Sequence, residues 1–210
     1  MTKTDIPRYS SYRGSASSPR YSSYANSPYS PPQALVFAMA VLVVASLAIG
    51  RPYHRISRPT ELASNRTDGN ELLLYEASCV PDADIYVQVL PTSPFLSSTT
   101  IDNAVFKLVT SSDYDSVFTV FPDRLYMRNK EGSPINYDPS KIPNSFELPD
   151  TIIETMGLYV IRREALLETR CRIGKSPHLQ TVSRIEAIDI NTEDDFKFAE
   201  AVIRGINNVL

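Results

Sequence analysis

The spacing of apolar and polar residues divides the chain into three stretches. Residues 1–33 carry Ile6 as their one large aliphatic residue apart from the initiating Met1, and are otherwise built from Ser, Tyr, Pro, Arg and small residues. The hexapeptide Pro-Arg-Tyr-Ser-Ser-Tyr occurs at Pro7–Tyr12 and again at Pro19–Tyr24, with Ser-Pro steps at Ser18, Ser27 and Ser30. Such a stretch cannot bury enough apolar area to offset the entropy of ordering it, so it reads as a disordered tail. Residues 34–50 are the reverse: an uncharged run, apolar on every side. As a helix it would rise about 25 Å, close to the hydrocarbon thickness of a bilayer. A buried core helix normally keeps a polar stripe, and a cleaved leader is usually shorter and lies nearer the chain start. The run is therefore expected to be a single-pass membrane span, with a targeting segment as the competing reading.

Residues 51–210 alternate between two periodicities. Helical spacing is expected over Asn70–Ser78, Thr99–Thr110, Arg162–Thr169 and Glu193–Val209, the last with Phe196, Ala199, Val202, Ile203 and Ile206 on one face. Short apolar runs predict strands at Asp84–Leu90, Asp115–Phe121, Gly157–Ile161, Leu179–Val182 and Ala187–Ile190, with Arg124–Arg128 pairing beside the second. The stretch Lys130–Pro149 is polar and Pro-rich and reads as a long excursion from the sheet. Alternation of this kind predicts an α/β domain with helices on both faces of one sheet.

Composition narrows the chemistry. The net charge is −3 and the pI about 5.5, so there is no basic footprint for nucleic acid. Two histidines and two widely separated cysteines, Cys79 and Cys171, match no metal spacing and no His-based triad. Basic residues on the two sides of residues 34–50 nearly balance, which leaves the orientation of a span open. The sequon Asn65-Arg66-Thr67 would accept a glycan only if the domain were lumenal.

Five segments resemble, in order, landmarks of the acylneuraminate cytidylyltransferase family, which includes CMP-sialic acid synthetases. They are Arg58-Pro59-Thr60-Glu61-Leu62-Ala63, Val89-Leu90-Pro91-Thr92-Ser93-Pro94-Phe95-Leu96, Asp115-Ser116-Val117, Glu154-Thr155-Met156-Gly157-Leu158-Tyr159 and Ile188-Asp189-Ile190-Asn191-Thr192-Glu193-Asp194-Asp195-Phe196. The resemblance implies a Rossmann-like sheet of the nucleotide-diphospho-sugar transferase type, N-terminally truncated and set behind one transmembrane helix. It implies that CTP and a sialic-type sugar acid are the partners: the anomeric hydroxyl attacks the α-phosphate of CTP and pyrophosphate leaves. It implies Mg²⁺ as cofactor, with Asp189 as catalytic and metal-binding carboxylate and Asn191 as second ligand where the family usually has an aspartate. An amide oxygen can ligate a metal but brings no charge. On the residues alone, Asp189 and Asn191 equally well begin the last helix, with Asn191 or Thr192 as its N-cap.

By the same resemblance Arg58, Thr92, Ser93 and Gln88 face the nucleotide, while Thr155 and Tyr159 face the sugar acid. Gln88 stands two residues before Leu90, where the family often has glutamine. A basic cluster of Arg170, Arg172 and Lys175 is expected to meet a sugar carboxylate or a neighbouring subunit. Family members are often homodimers, and Lys130–Pro149 is a candidate contact. The family's Gly- and basic-rich triphosphate loop has no counterpart beyond Arg13-Gly14-Ser15, which follows no apolar strand. Two readings therefore stand: a CMP-transferring enzyme, or a membrane-anchored relative that keeps the fold as an interaction or regulatory protein.

Overall fold

A computed structural model describes residues 56–64 and 66–207. The tail, the apolar run 34–50, the basic stretch 51–55 and Asn65 lie outside the described residues, so the expectations for them are carried no further by the fold. Among the described residues no helix is long and apolar enough to cross a membrane.

Four strands, β1 (Ile85–Val89), β2 (Ser116–Asp123), β3 (Thr151–Arg162) and β4 (Pro177–Thr181), form one sheet in the order β1-β3-β2-β4. β3 runs antiparallel to both neighbours, and β2 pairs with β4 in parallel. The sheet is thus mixed. The helices α1 (Gly69–Cys79), α2 (Ser98–Thr110), α3 (Arg163–Thr169) and α4 (Glu193–Asn207) complete the α/β architecture.

Alternation along the strands sends side chains to two separate cores. Leu73 and Ala77 of α1 and Ala165 and Leu166 of α3 pack with Tyr86 and Ile161 on one face. Ala104 and Leu108 of α2 pack with Val87, Val117, Leu158 and Val160 on the other. Adjacent strand residues such as Tyr86 and Val87 therefore serve opposite layers, as the two-residue period requires. β3 is buried on both faces from Leu158 to Ile161, which is why this stretch is a continuous apolar run.

The helix starts follow their capping residues. Asp68 accepts hydrogen bonds from the N–H groups of Asn70 and Glu71 at 2.8 and 2.9 Å, and the Glu71 carboxylate accepts one from the Asp68 N–H at 3.2 Å. Ser97 accepts from the Thr100 N–H at 3.1 Å at the start of α2. Arg170 ends α3 in the left-handed conformation, φ 53°, its N–H reaching back to the Leu166 carbonyl.

Three expectations are corrected. Ala187–Ile190 is not a strand: Ser183–Ala187 forms a turn closed by the Ala187 N–H on the Ser183 carbonyl, and Ile188–Ile190 runs on outside any strand. Apolar composition alone does not separate a strand from a segment that merely covers a sheet end. Arg124–Arg128 does not extend β2. It opens an excursion tied internally, Tyr126 Oη to the Pro143 carbonyl and Arg124 to Asp150, that returns at β3. β3 itself begins six residues earlier than expected, at Thr151, because Ile152, Ile153 and Glu154 are exposed and lack the apolar alternation of a half-buried strand. The expected apolar face of α4 is only partly used: Ala199 is buried, whereas Phe196 and Ile203 remain more than 40% exposed.

One buried group opposes the fold. Glu76 of α1 is 6% exposed, and its Oε2 has no hydrogen-bond partner. Burial pushes its carboxyl up to about 7, against the opposing pull of Arg58. A raised acid favours the fold fully below the ordinary carboxylate range and loses that stability as the pH rises to about 7. Urea titrations are expected to show stability falling by on the order of 2 kcal/mol between pH 4.5 and 7.5, and falling far less in Glu76→Gln. Equal pH slopes in the two proteins would contradict the assignment.

Candidate functional site

The site is organised by an irregularity in β3. Phe118 and Val120 of β2 are two residues apart, but their partners on β3, Tyr159 and Glu154, are five apart. β3 therefore bulges at Thr155–Leu158, and Met156 adopts a left-handed conformation, φ 62°. A bulge re-aims side chains that a regular ladder would send to alternate faces. Here it folds Glu154 back so that its carboxylate accepts a short hydrogen bond from the Tyr159 hydroxyl. The Met156 sulfur lies 3.1 Å from the same hydroxyl. Thr155, 6% exposed, is held by its hydroxyl on Thr119 Oγ1 at 2.7 Å.

Tyr159 is the centre of this cluster. Its ring stacks on Phe118 at 6.2 Å, and the Arg172 guanidinium lies 3.8 Å from the ring centroid on a chain that reaches in from the loop after α3. Arg172 also donates to Gln88 Oε1 at 3.4 Å and approaches the Met156 sulfur at 3.4 Å. Gly69 leaves the space for it: a Cβ there would run into the guanidinium. Burial, the Glu154 hydrogen bond and the negative charges of Glu154 and Asp189 all raise the Tyr159 hydroxyl above its ordinary range, and Arg172 opposes them. The hydroxyl thus stays a donor at any physiological pH.

The Pro-Thr-Ser-Pro turn closes the cluster. It follows β1, with the Ser93 N–H on the Leu90 carbonyl at 3.1 Å, and Ser93 is buried against Gly157 of the bulge. The Ile190 N–H donates to the Thr92 carbonyl at 2.9 Å, which brings Asp189 and Asn191 beside the turn although Asp189 ends no strand. The Asp189 Oδ1 is buried and has no hydrogen-bond partner, while Oδ2 accepts from the Asn191 side-chain amide at 2.7 Å. Asn191 therefore turns its nitrogen, not its oxygen, toward Asp189. Thr192 caps α4, its hydroxyl accepting from the Asp195 N–H at 3.2 Å and its carbonyl from the Phe196 N–H at 3.1 Å.

A carboxylate that the motif reading passed over fixes this approach. Glu186 Oε1 accepts from the Ser97 N–H, the Ser97 hydroxyl and the Thr100 hydroxyl at 3.1, 2.8 and 2.6 Å, and Oε2 from Ser183. It ties the start of α2 to the turn that leads into Asp189. Partial burial pushes its carboxyl up, but these hydrogen bonds outweigh burial and hold it below the ordinary range. A polar residue inside an apolar run, three positions before Asp189, was the available signal.

Gln88, Thr92, Ser93, Thr155, Tyr159 and Asp189 thus converge on the bulge, with Asn191 at the rim. Arg58 is placed on the Glu76 side of α1, and among the described residues no hydrogen bond or ion pair joins it to Thr92 or Asp189. Of the basic cluster only Arg172 enters the site; Lys175 pairs with Glu168, and Arg170 serves as the cap of α3. Among the described residues no group of three His, Cys, Asp or Glu residues could hold a metal by itself.

No protein-family model and no curated protein matches this chain. Among solved structures, the chain is similar to one of CMP:2-keto-3-deoxy-manno-octonic acid synthetase complexed with CTP, at 13% sequence identity over 67% of this chain and 70% of that one, with a TM-score of 0.44.

The bulge packing makes a sharp test. A Cβ on Gly157 would stand 2.9 Å from the Ser93 Oγ and 3.0 Å from its Cβ. Gly157→Ala is expected to destabilise the domain by about 1–3 kcal/mol in urea unfolding, and Ser93→Gly in the same chain to recover most of that loss. Additive losses would show that the two residues do not share this contact. The depressed Glu186 carboxyl contributes stability above the ordinary carboxylate range and loses it as the pH falls below that range. Glu186→Gln is expected to lower stability at pH 7 and to flatten its acid limb below pH 4.5, read by thermal melts.

Proposed function

We propose that this domain is a nucleotidyltransferase-type protein that takes CTP and a sialic-type sugar acid and joins CMP to the acid with release of pyrophosphate. The observation that carries the reading is the backbone bond from Ile190 to Thr92. It gathers the Pro-Thr-Ser-Pro turn, the orphaned Asp189 oxygen and the Tyr159–Arg172 stack, residues far apart in sequence, around one bulge. The sequence landmarks support the same reading.

Each residue has a task that its surroundings suit. Thr92 and Ser93 present a turn whose backbone amides and hydroxyls suit a nucleotide. Arg172, backed by an aromatic ring and steadied by Gln88, is a planar donor suited to a carboxylate. Tyr159, held protonated, donates but does not act as a base at neutral pH. Thr155 is engaged by Thr119 and acts as support for the bulge wall. Arg58 acts electrostatically on Glu76 of α1.

The donor set suits Mg²⁺ that arrives with phosphates. A buried carboxylate oxygen without a donor is the expected state of a ligand atom, and Asp189 Oδ1 is one. Asn191 would need to rotate its amide to add a second oxygen. Bound there, the ion would offset charge on the phosphates. The present Asn191–Asp189 bond supports the second reading, a relative that keeps the fold as an interaction or regulatory protein: an amide in place of a second carboxylate brings no charge to hold the ion.

Calorimetric titration of the full chain with CTP tests the proposal. Binding is expected to strengthen with Mg²⁺, and Asp189→Ala is expected to lose at least about tenfold in affinity only when Mg²⁺ is present. Asn191→Asp is expected to strengthen the Mg²⁺ dependence. Pyrophosphate release with a sugar acid separates the two readings. Absence of any CTP binding, with or without the ion, would overturn the enzyme reading and is the result the second reading expects.

A further inference from the structure

The bulge in β3 puts a thioether where two donors converge. The Met156 sulfur lies 3.1 Å from the Tyr159 hydroxyl oxygen and 3.4 Å from Arg172 Nη2. Met156 is 38% exposed, although Thr155 and Gly157 on either side of it are buried. Its left-handed backbone, φ 62°, is uncommon for a residue other than glycine, so the place of the sulfur is set by the bulge and not by a regular ladder.

A thioether matches these donors poorly, because its sulfur is only a weak acceptor. The Tyr159 proton is already taken by the Glu154 carboxylate. Arg172 is the donor that remains, and a guanidinium carries five N–H groups. Among the described residues its side chain makes two polar contacts, to Gln88 Oε1 and to the Met156 sulfur, and both are 3.4 Å long. Guanidinium bonds to a strong acceptor are shorter, about 2.7–2.9 Å. Arg172 is therefore held chiefly by its stack on the Tyr159 ring, with no strong acceptor for its N–H groups. Met127 gives the contrast: its sulfur meets the Thr151 hydroxyl at 3.5 Å and no guanidinium among the described residues, and it is less exposed than Met156.

We propose that Met156 is a reversible oxidation site whose sulfoxide captures Arg172. Hydrogen peroxide is the oxidant, and the sulfur attacks one of its oxygens. An S–O bond forms as the O–O bond breaks. The sulfur gives up two electrons and the peroxide takes them. The proton of the transferred hydroxyl passes to the other oxygen, which leaves as water. The new oxygen is a strong acceptor one bond beyond the sulfur, beside Arg172 Nη2, so a charge-assisted hydrogen bond replaces the long contact to sulfur. Sulfoxide reductases return the thioether, which makes the change a switch and not a lesion. One consequence rests on the function proposed above: a captured Arg172 is withdrawn from a sugar-acid carboxylate, so oxidation closes the acid side of the site and leaves the Thr92–Ser93 turn as it is. The capture itself does not depend on that function.

Mild hydrogen peroxide treatment of the full chain tests the proposal, followed by a thiol reductant that restores Cys79 and Cys171 but not a sulfoxide. Peptide mass spectrometry is expected to show Met156 gaining one oxygen at least about fivefold faster than Met127. NMR of the arginine side chains is expected to show the Arg172 guanidinium N–H groups exchanging with water at least about tenfold more slowly after oxidation, and recovering once methionine sulfoxide reductases are added. Both readouts use the natural chain and need no ligand, so they stand even if a variant fails to fold. In Met156→Leu the slowing is expected to vanish. Oxidation of Met156 no faster than that of Met127 overturns the proposal. So does a sulfoxide at Met156 that leaves Arg172 exchange unchanged, or slowing that persists in Met156→Leu. Calorimetry with sialic acid reads the consequence: affinity is expected to fall at least about tenfold on oxidation, and equal affinity before and after overturns the closing of the site. Absence of binding by the untreated chain counts against the function proposed above, while the mass and NMR readouts still decide the capture.

Discussion

The central pairing of β3 is the constraint on which the rest depends. Leu158–Ile161 is completely buried, bonded on one side to β1 and on the other to β2, and contributes to both cores. Its direction is opposite to that of both neighbours, so the chain must enter it from the long excursion after β2 and leave it directly into α3. Whatever departs from regularity in β3 is therefore transmitted to both flanking strands. The departure at Thr155–Leu158 is what brings Glu154, Tyr159 and the Pro-Thr-Ser-Pro turn together.

The bulge explains why residues with no shared periodicity meet. Glu154 and Tyr159 would lie on opposite faces of a regular strand, because they are five residues apart. With the extra residues taken up locally, their side chains are hydrogen-bonded to each other. The left-handed Met156 marks where the chain is forced to turn, and such conformations in residues other than glycine concentrate at functional sites. Gly157 follows immediately and lets Ser93 close against the backbone. Arg172 completes the arrangement from a loop 13 residues beyond Tyr159.

Glu186 performs the corresponding task at the other end of the site. A carboxylate accepting several hydrogen bonds at once links the start of α2 to the Ser183–Ala187 turn. Fixing that turn fixes the path of Ile188–Ile190, and hence the contact between Ile190 and Thr92. Asp189 is placed by this clamp and not by a strand terminus. Glu76 is the opposite case, a buried carboxyl whose Oε2 has no donor.

The sequence by itself determined the elements whose signals are local. Apolar periodicity placed the four α-helices of the described residues to within a few residues, since side-chain spacing acts within one or two turns. The ordered landmarks singled out most residues that converge on the bulge. Only the tertiary structure decided strand direction, the early start of β3 and the loss of the Ala187–Ile190 strand. Those depend on which backbone groups find partners across the sheet, and pairing between residues 30 or more positions apart leaves no periodic trace in either segment. The role of Glu186, and the choice of Arg172 from the cluster Arg170, Arg172 and Lys175, were hidden for the same reason: each acts through contacts with residues more than 80 positions away.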